Sequence, residues 1–92
     1  MTSRITLPST LARHIGGQKQ VITKESTLGM ALRTLTSEYS LGDALLTDEG
    51  GIQPYIRVVI GSRMLDKNEL SDPDEILLGD VSVELKAAFA GG

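Results

Sequence analysis

The 92-residue sequence has no cysteine, no tryptophan, a single histidine, and aromatic residues at only 3%. Without cysteine there is no thiol nucleophile, no Cys-ligated zinc, no iron–sulfur cluster and no disulfide scaffold. His14 alone excludes any metal site that takes two histidines from one chain. Clustered positive charge is also lacking. Nine Lys and Arg against twelve Asp and Glu give a net charge of −3, which argues against a general grip on nucleic acid phosphate. No apolar run approaches the ~20 residues that span a bilayer. The first eight residues, Met1-Thr-Ser-Arg-Ile-Thr-Leu-Pro8, are interrupted by polar side chains and lack the apolar core of a signal peptide. The expected compartment is the cytoplasm, with no membrane partner.

What is present fits one small domain with a single core. In Arg4–Leu7, Ile5 and Leu7 alternate with Arg4 and Thr6, the period of a half-buried strand that Pro8 ends. Residues 8–18 read as a connection, with Leu11 and Ile15 as anchors and Gly16-Gly17 as a turn. Lys19–Lys24 predicts a second strand, antiparallel to the first, with Val21 and Thr23 opposite Gln20 and Ile22. The period then changes. Leu28, Ala31, Leu32, Leu35 and Tyr39 follow helical spacing, with Ser26 or Thr27 as N-cap. Ser40–Pro54 is a long connection with a short helical stretch expected over Leu41–Leu46. Tyr55–Ile60 predicts a strand covered on most of both faces. Gly61-Ser62 turns it into a short strand at Arg63–Leu65. Asp66–Asp80 reads as an acidic connection, and Val81–Lys86 alternates as a last strand.

The order is two strands, one helix, then three strands, of which the middle one is short. The expected fold class is α+β, with the element order of a β-grasp: a mixed four- to five-stranded sheet packed on one main helix. The expected division is a β-grasp domain over 1–86 and a flexible tail over 87–92. That tail holds small residues, one aromatic (Phe89), and Gly91-Gly92 at its end. Glycine lets a backbone approach an enzyme's reacting groups closely. Six extended residues reach about 20 Å at ~3.3–3.6 Å each, enough to deliver a carboxylate into a partner's channel.

The chain resembles the ubiquitin-like sulfur carriers, which include the small subunit of molybdopterin synthase and the thiamine-pathway carrier. The resemblance rests on Ile5-Thr-Leu-Pro-Ser-Thr-Leu-Ala-Arg-His14, Gly16-Gly-Gln-Lys19, Thr27-Leu-Gly29 and Ala88-Phe-Ala-Gly-Gly92. It is nearest to the carriers of thiocarboxylate-dependent cysteine synthesis. The resemblance implies a protein that is not an enzyme and binds no cofactor. Its Gly92 carboxylate would be adenylated by a ubiquitin-activating-type enzyme that uses ATP, and then converted to a thiocarboxylate. Gly91 would give access. The implied partners are the adenylating enzyme, a sulfurtransferase as sulfur donor, and a sulfur-accepting biosynthetic enzyme. Cysteine synthesis is the first expectation and molybdopterin synthesis the second. A ubiquitin-like modifier joined through Gly92 to lysines is the alternative, and a plain β-grasp interaction module is the third class.

Partner recognition is expected on the sheet face opposite the helix. Tyr55, Arg57 and Val59 share one side of their strand, with Ile56, Val58 and Ile60 toward the helix, and Phe89 is a candidate anchor near the reactive end. His14, flanked by Arg13 and Ile15, reads as a surface or packing residue. Gly16-Gly17 is a turn and not a phosphate loop, because no Lys-Ser/Thr follows. Seven of the twelve carboxylates lie between Asp66 and Glu84. They read as a solvated loop, with steering of a basic partner as the alternative.

Overall fold

A computed structural model describes residues 2–13 and 16–87. Its sheet has five strands in the order β2-β1-β5-β3-β4. They are β1 (Ser3–Thr6), β2 (Gln20–Thr23), β3 (Ile56–Ile60), β4 (Arg63–Met64) and β5 (Ser82–Ala87). The antiparallel β1–β2 pair sets Ile5 against Val21. On its other side β1 runs parallel to β5, with Ile5 beside Val83. Antiparallel pairing of β3 with β5 sets Val58 against Leu85. This is the mixed sheet of a ubiquitin-like β-grasp.

One long helix covers the sheet. Helix α2 (Leu28–Tyr39) starts where the Thr27 hydroxyl accepts the Met30 N–H at 3.2 Å. Thr27 is thus the cap, rather than Ser26. The helix ends at Ser40, whose N–H donates to the Thr36 carbonyl and whose left-handed backbone turns the Leu41 N–H onto the same carbonyl at 3.1 Å. Leu28, Ala31, Leu32 and Leu35 are buried against Ile5, Ile56, Val58, Val83 and Leu85, none of these more than 2% exposed. Tyr39 packs half-buried at the end of the same stripe.

Four expectations are corrected. Residues 8–18 hold a helical turn, α1 (Ser9–Ala12), which buries Leu11 and Ala12. Ile15 lies outside the described residues. The stretch Leu41–Leu46 is not helical, since Gly42 takes a left-handed φ of 61° that interrupts any 3.6-residue period. Leu45 and Leu46 enter the core instead, and Leu46 bridges to Ile52. The Asp66–Asp80 connection contains α3 (Lys67–Ser71) and a 3-10 turn over Pro73–Glu75. A reciprocal cap starts α3. The Asp66 carboxylate accepts the Glu69 N–H at 2.9 Å, and Glu69 accepts the Asp66 N–H at 3.0 Å.

The fourth correction bears on function. Strand β3 is covered on one face only: Ile56 and Val58 are buried, Val59 is half-buried and Arg57 is exposed. No second layer of the described chain lies on that outer side. The first and last strands of the chain also begin and end one residue from expectation. β1 takes Ser3 and gives up Leu7, while β5 gives up Val81 and takes Ala87.

Candidate functional site

The strand that leads toward the expected reactive residue Gly92 is β5. Strand β5 carries alternating residues, with Val83 and Leu85 inward and Ser82, Glu84 and Lys86 outward. Its last residue, Ala87, pairs with Ile56 at the start of β3. The chain therefore leaves the sheet beside the entry to β3. Phe89, Gly91 and Gly92 lie outside the described residues, as does His14.

Around that exit point the outer sheet face is open. Arg57 stands across from Lys86, and Val59 across from Glu84 on one side and Met64 on the other. Glu84 and Lys86 approach to 3.9 Å, both about half exposed, too loose and too wet to fix either side chain. Tyr55 precedes β3 instead of lying within it, and its hydroxyl donates to the Ala44 carbonyl at 2.7 Å. That bond ties the entry of β3 to the 40–54 loop. The structure thus brings Arg57 and Val59 onto one face with the root of the tail, and sets Tyr55 at its margin.

Two apolar residues on this face escaped the sequence reading. Ile22 is 58% exposed and Met64 is 52% exposed. Ile22 had a legible signal: it is the large apolar residue on the polar side of an alternating strand. Met64 had none, because a two-residue strand is too short to define faces. The outer face therefore offers apolar area flanked by Arg4, Arg57 and Lys86.

The acidic residues from 66 to 84 do not form one patch. Asp74 meets Arg33 in a two-pronged contact at 2.9 and 3.3 Å, tying the 3-10 turn to α2. Glu69 holds Arg63 at 2.8 Å. The Asp80 carboxylate accepts the Thr2 N–H at 2.9 Å. Much of this charge is structural. Among the described residues no cluster of three His, Asp or Glu could hold a metal ion. No helix among them is long and apolar enough to cross a membrane.

No family model and no curated protein matches the chain. Solved structures do. The HVO 2177 protein of Haloferax volcanii is 27% identical, with a TM-score of 0.75 over 100% of this chain and 87% of its own. A chain of the Amycolatopsis orientalis BexX/CysO complex is 23% identical, with a TM-score of 0.79 over 98% of this chain and 99% of its own. The small archaeal modifier protein 1 of Methanosarcina acetivorans is 17% identical, with a TM-score of 0.74 over 99% of this chain and 96% of its own. In fold the chain resembles these proteins over nearly its whole length.

Proposed function

We propose that this ubiquitin-like β-grasp protein is a sulfur carrier, acted upon by enzymes and not itself a catalyst, with Gly92 as its reactive residue. One observation carries the proposal: β5 of a β-grasp body leads, within five residues of its last paired residue Ala87, to the Gly91-Gly92 pair. A free carboxylate is a poor electrophile. An activating enzyme that spends ATP joins it to AMP with release of pyrophosphate, which creates a good leaving group. Hydrosulfide, released from a sulfurtransferase persulfide by a reducing thiol that ends in a disulfide, then attacks the acyl carbon, AMP departs, and a thiocarboxylate remains. The product is a sulfur nucleophile in a chain with no cysteine.

In this reading the recognised body runs to Ala87, one residue beyond the expected boundary at 86, and the residues after it are the tail, with Gly91 opening the way for Gly92 into the enzyme. Small residues offer an enzyme few contacts, so affinity comes from the outer sheet face through Arg57 and Val59, with Tyr55 at its edge. Phe89 anchors the tail in the partner's groove. A sulfurtransferase supplies the sulfur and a biosynthetic enzyme accepts it. Cysteine synthesis is the favoured destination, supported by the sequence resemblance over residues 5–29 and by the likeness in fold to the BexX/CysO chain. Molybdopterin synthesis is second. Likeness to a small archaeal modifier protein favours one other reading, in which Gly92 is joined to lysines of target proteins.

The test uses the full chain and its activating enzyme. ATP–pyrophosphate exchange is expected with the intact protein and is expected to vanish when Gly91 and Gly92 are deleted. Exchange that survives the deletion overturns Gly92 as the reactive site. Protein recovered from cells decides between the two readings. A mass gained by replacing one carboxyl oxygen with sulfur identifies a carrier, and isopeptide-linked adducts identify a modifier.

A further inference from the structure

An open groove runs between the β3–β4 hairpin and α3, on the opposite flank of the sheet from β2. It consists of two adjoining cavities of about 400 and about 230 Å³ that share Pro54, Lys67 and Leu70. Ile52, Ile56 and Leu65 form its floor, none more than 6% exposed. Met64 stands half exposed at its mouth, where an unbranched thioether can adapt to different shapes.

Charge at the rim runs against the sign of the whole chain. Arg57 and Lys67 both line the groove and are exposed. Among the described residues neither belongs to an ion pair. The nearby carboxylates Asp66 and Glu69 already have partners of their own. Asp66 also lines the groove, but it accepts the Glu69 N–H as the cap of α3, while Glu69 binds Arg63. An apolar floor beneath two uncommitted cations thus sits on a protein of net charge −3.

We infer that this groove docks a partner polypeptide segment in which a large apolar side chain is flanked by Asp or Glu. The apolar side chain displaces water from the exposed Pro54 and Met64 and the half-buried Leu70, above the buried Ile56 and Leu65. The flanking carboxylates reach Arg57, which can take one in a forked pair, and Lys67, which acts as a point charge. Such rim charges steer encounter and select against basic segments. A small neutral ligand fits less well, because the exposed walls at Pro54, Arg57 and Lys67 leave it largely uncovered. The inference does not rest on the reading of Gly92. It does bear on it, since Arg57 belongs both to the groove and to the outer sheet face. A segment in the groove and an enzyme on that face meet at one side chain.

The probe is a fluorescein-labelled peptide, Asp-Glu-Asp-Leu-Phe-Asp-Glu-Asp, titrated into the isotope-labelled full chain. Saturable amide shifts are expected at Ile56, Lys67 and Leu70. Lys67→Glu is expected to weaken binding about fivefold, the scale of one exposed ion pair, and Arg57→Glu by at least as much. Lys67→Glu should keep its thermal midpoint, because an acid is favourable in the first turn of a helix. Lys24→Glu, beside the far edge strand β2, should bind like the parent chain, and so should the chain lacking Gly91 and Gly92. The proposal is overturned if a peptide with Leu-Phe replaced by Ser-Ser binds as tightly, or if a lysine-for-acid peptide does. It is equally overturned by shifts confined to the Ile22 side of the sheet, by no saturable binding, or by unchanged affinity in Lys67→Glu.

Discussion

The two faces of the sheet are made from neighbouring residues of the same strands, and they are physically opposite. On the inner face Ile5, Val58, Val83 and Leu85 lie beneath α2 with at most 2% exposure. On the outer face Arg4, Ile22, Arg57, Glu84 and Lys86 meet solvent. Alternation along a strand lets one segment serve both ends, since adjacent side chains point to opposite sides. The inner face holds the fold together. The outer face contributes little to stability and is therefore free to recognise a partner. Substitutions should separate the two.

The largest loss is expected inside. Leu32 is fully buried midway along α2, so Leu32→Ala should cost about 2–5 kcal/mol in denaturant unfolding. Its neighbour Arg33 is half exposed and paired with Asp74, and Arg33→Ala should cost no more than about 1 kcal/mol. Equal losses at the two positions would mean that the helix does not bury the stripe through Leu32.

Next comes the joint between α2 and the 3-10 turn. A Cβ on Gly29 would run into the Asp74 carboxylate and lie 3.0 Å from the Asp74 backbone nitrogen. Gly29→Ala should therefore cost about 1–3 kcal/mol through overpacking, although alanine is the better helix former. Combining it with Asp74→Ala should recover part of that loss, because the carboxylate can be removed and the backbone cannot. A Gly29→Ala protein as stable as the parent would show that the turn yields freely. Smaller again is the cap of α3: Asp66→Ala should cost about 0.5–2 kcal/mol, read from the thermal midpoint.

The smallest effect on stability is expected outside. Ile22→Ser and Arg57→Glu should each change stability by no more than about 0.5 kcal/mol. Arg57→Glu should nevertheless weaken binding to the proposed activating enzyme, measured by titration calorimetry. If Arg57→Glu unfolds the domain, or leaves affinity untouched, the division of labour between the faces fails. Phe89→Ala sharpens the same comparison at the tail. A loss of affinity at constant stability fits an anchor in the partner. A stability loss above about 2 kcal/mol with unchanged affinity would place Phe89 in its own core.

Where the sequence was misread, the reason is local. Residues 66–80 looked like a loop because acidic side chains hid a short helix with no apolar period. The Asp66-x-x-Glu69 spacing was nonetheless a readable capping box. The reverse error arose at Leu41–Leu46, where apolar residues suggested a helix and Gly42 turned the chain the other way. Likewise Tyr55–Ile60 looked covered on both faces from its apolar run, but only neighbours in space decide what covers a side chain. Of the candidate site, the outward positions of Arg57 and Val59 followed from strand period. The exposed Met64 and the groove of Lys67 and Leu70 did not, because they arise where three separate segments meet.

The sequence by itself determined the order of strands and helix, the stripe that α2 buries, and the alternation that gives β5 an inner and an outer side. Those features come from periods of two and 3.6 residues that the backbone imposes on any chain. Only the tertiary structure decided that β1 runs parallel to β5, so that the last strand lies at the centre of the sheet and ends at Ile56. It alone put Arg57 and Lys67 on one rim and left the far side of β3 uncovered. Pairing between residues some eighty positions apart depends on which buried surfaces fit together. Periodicity along the chain carries no record of that fit.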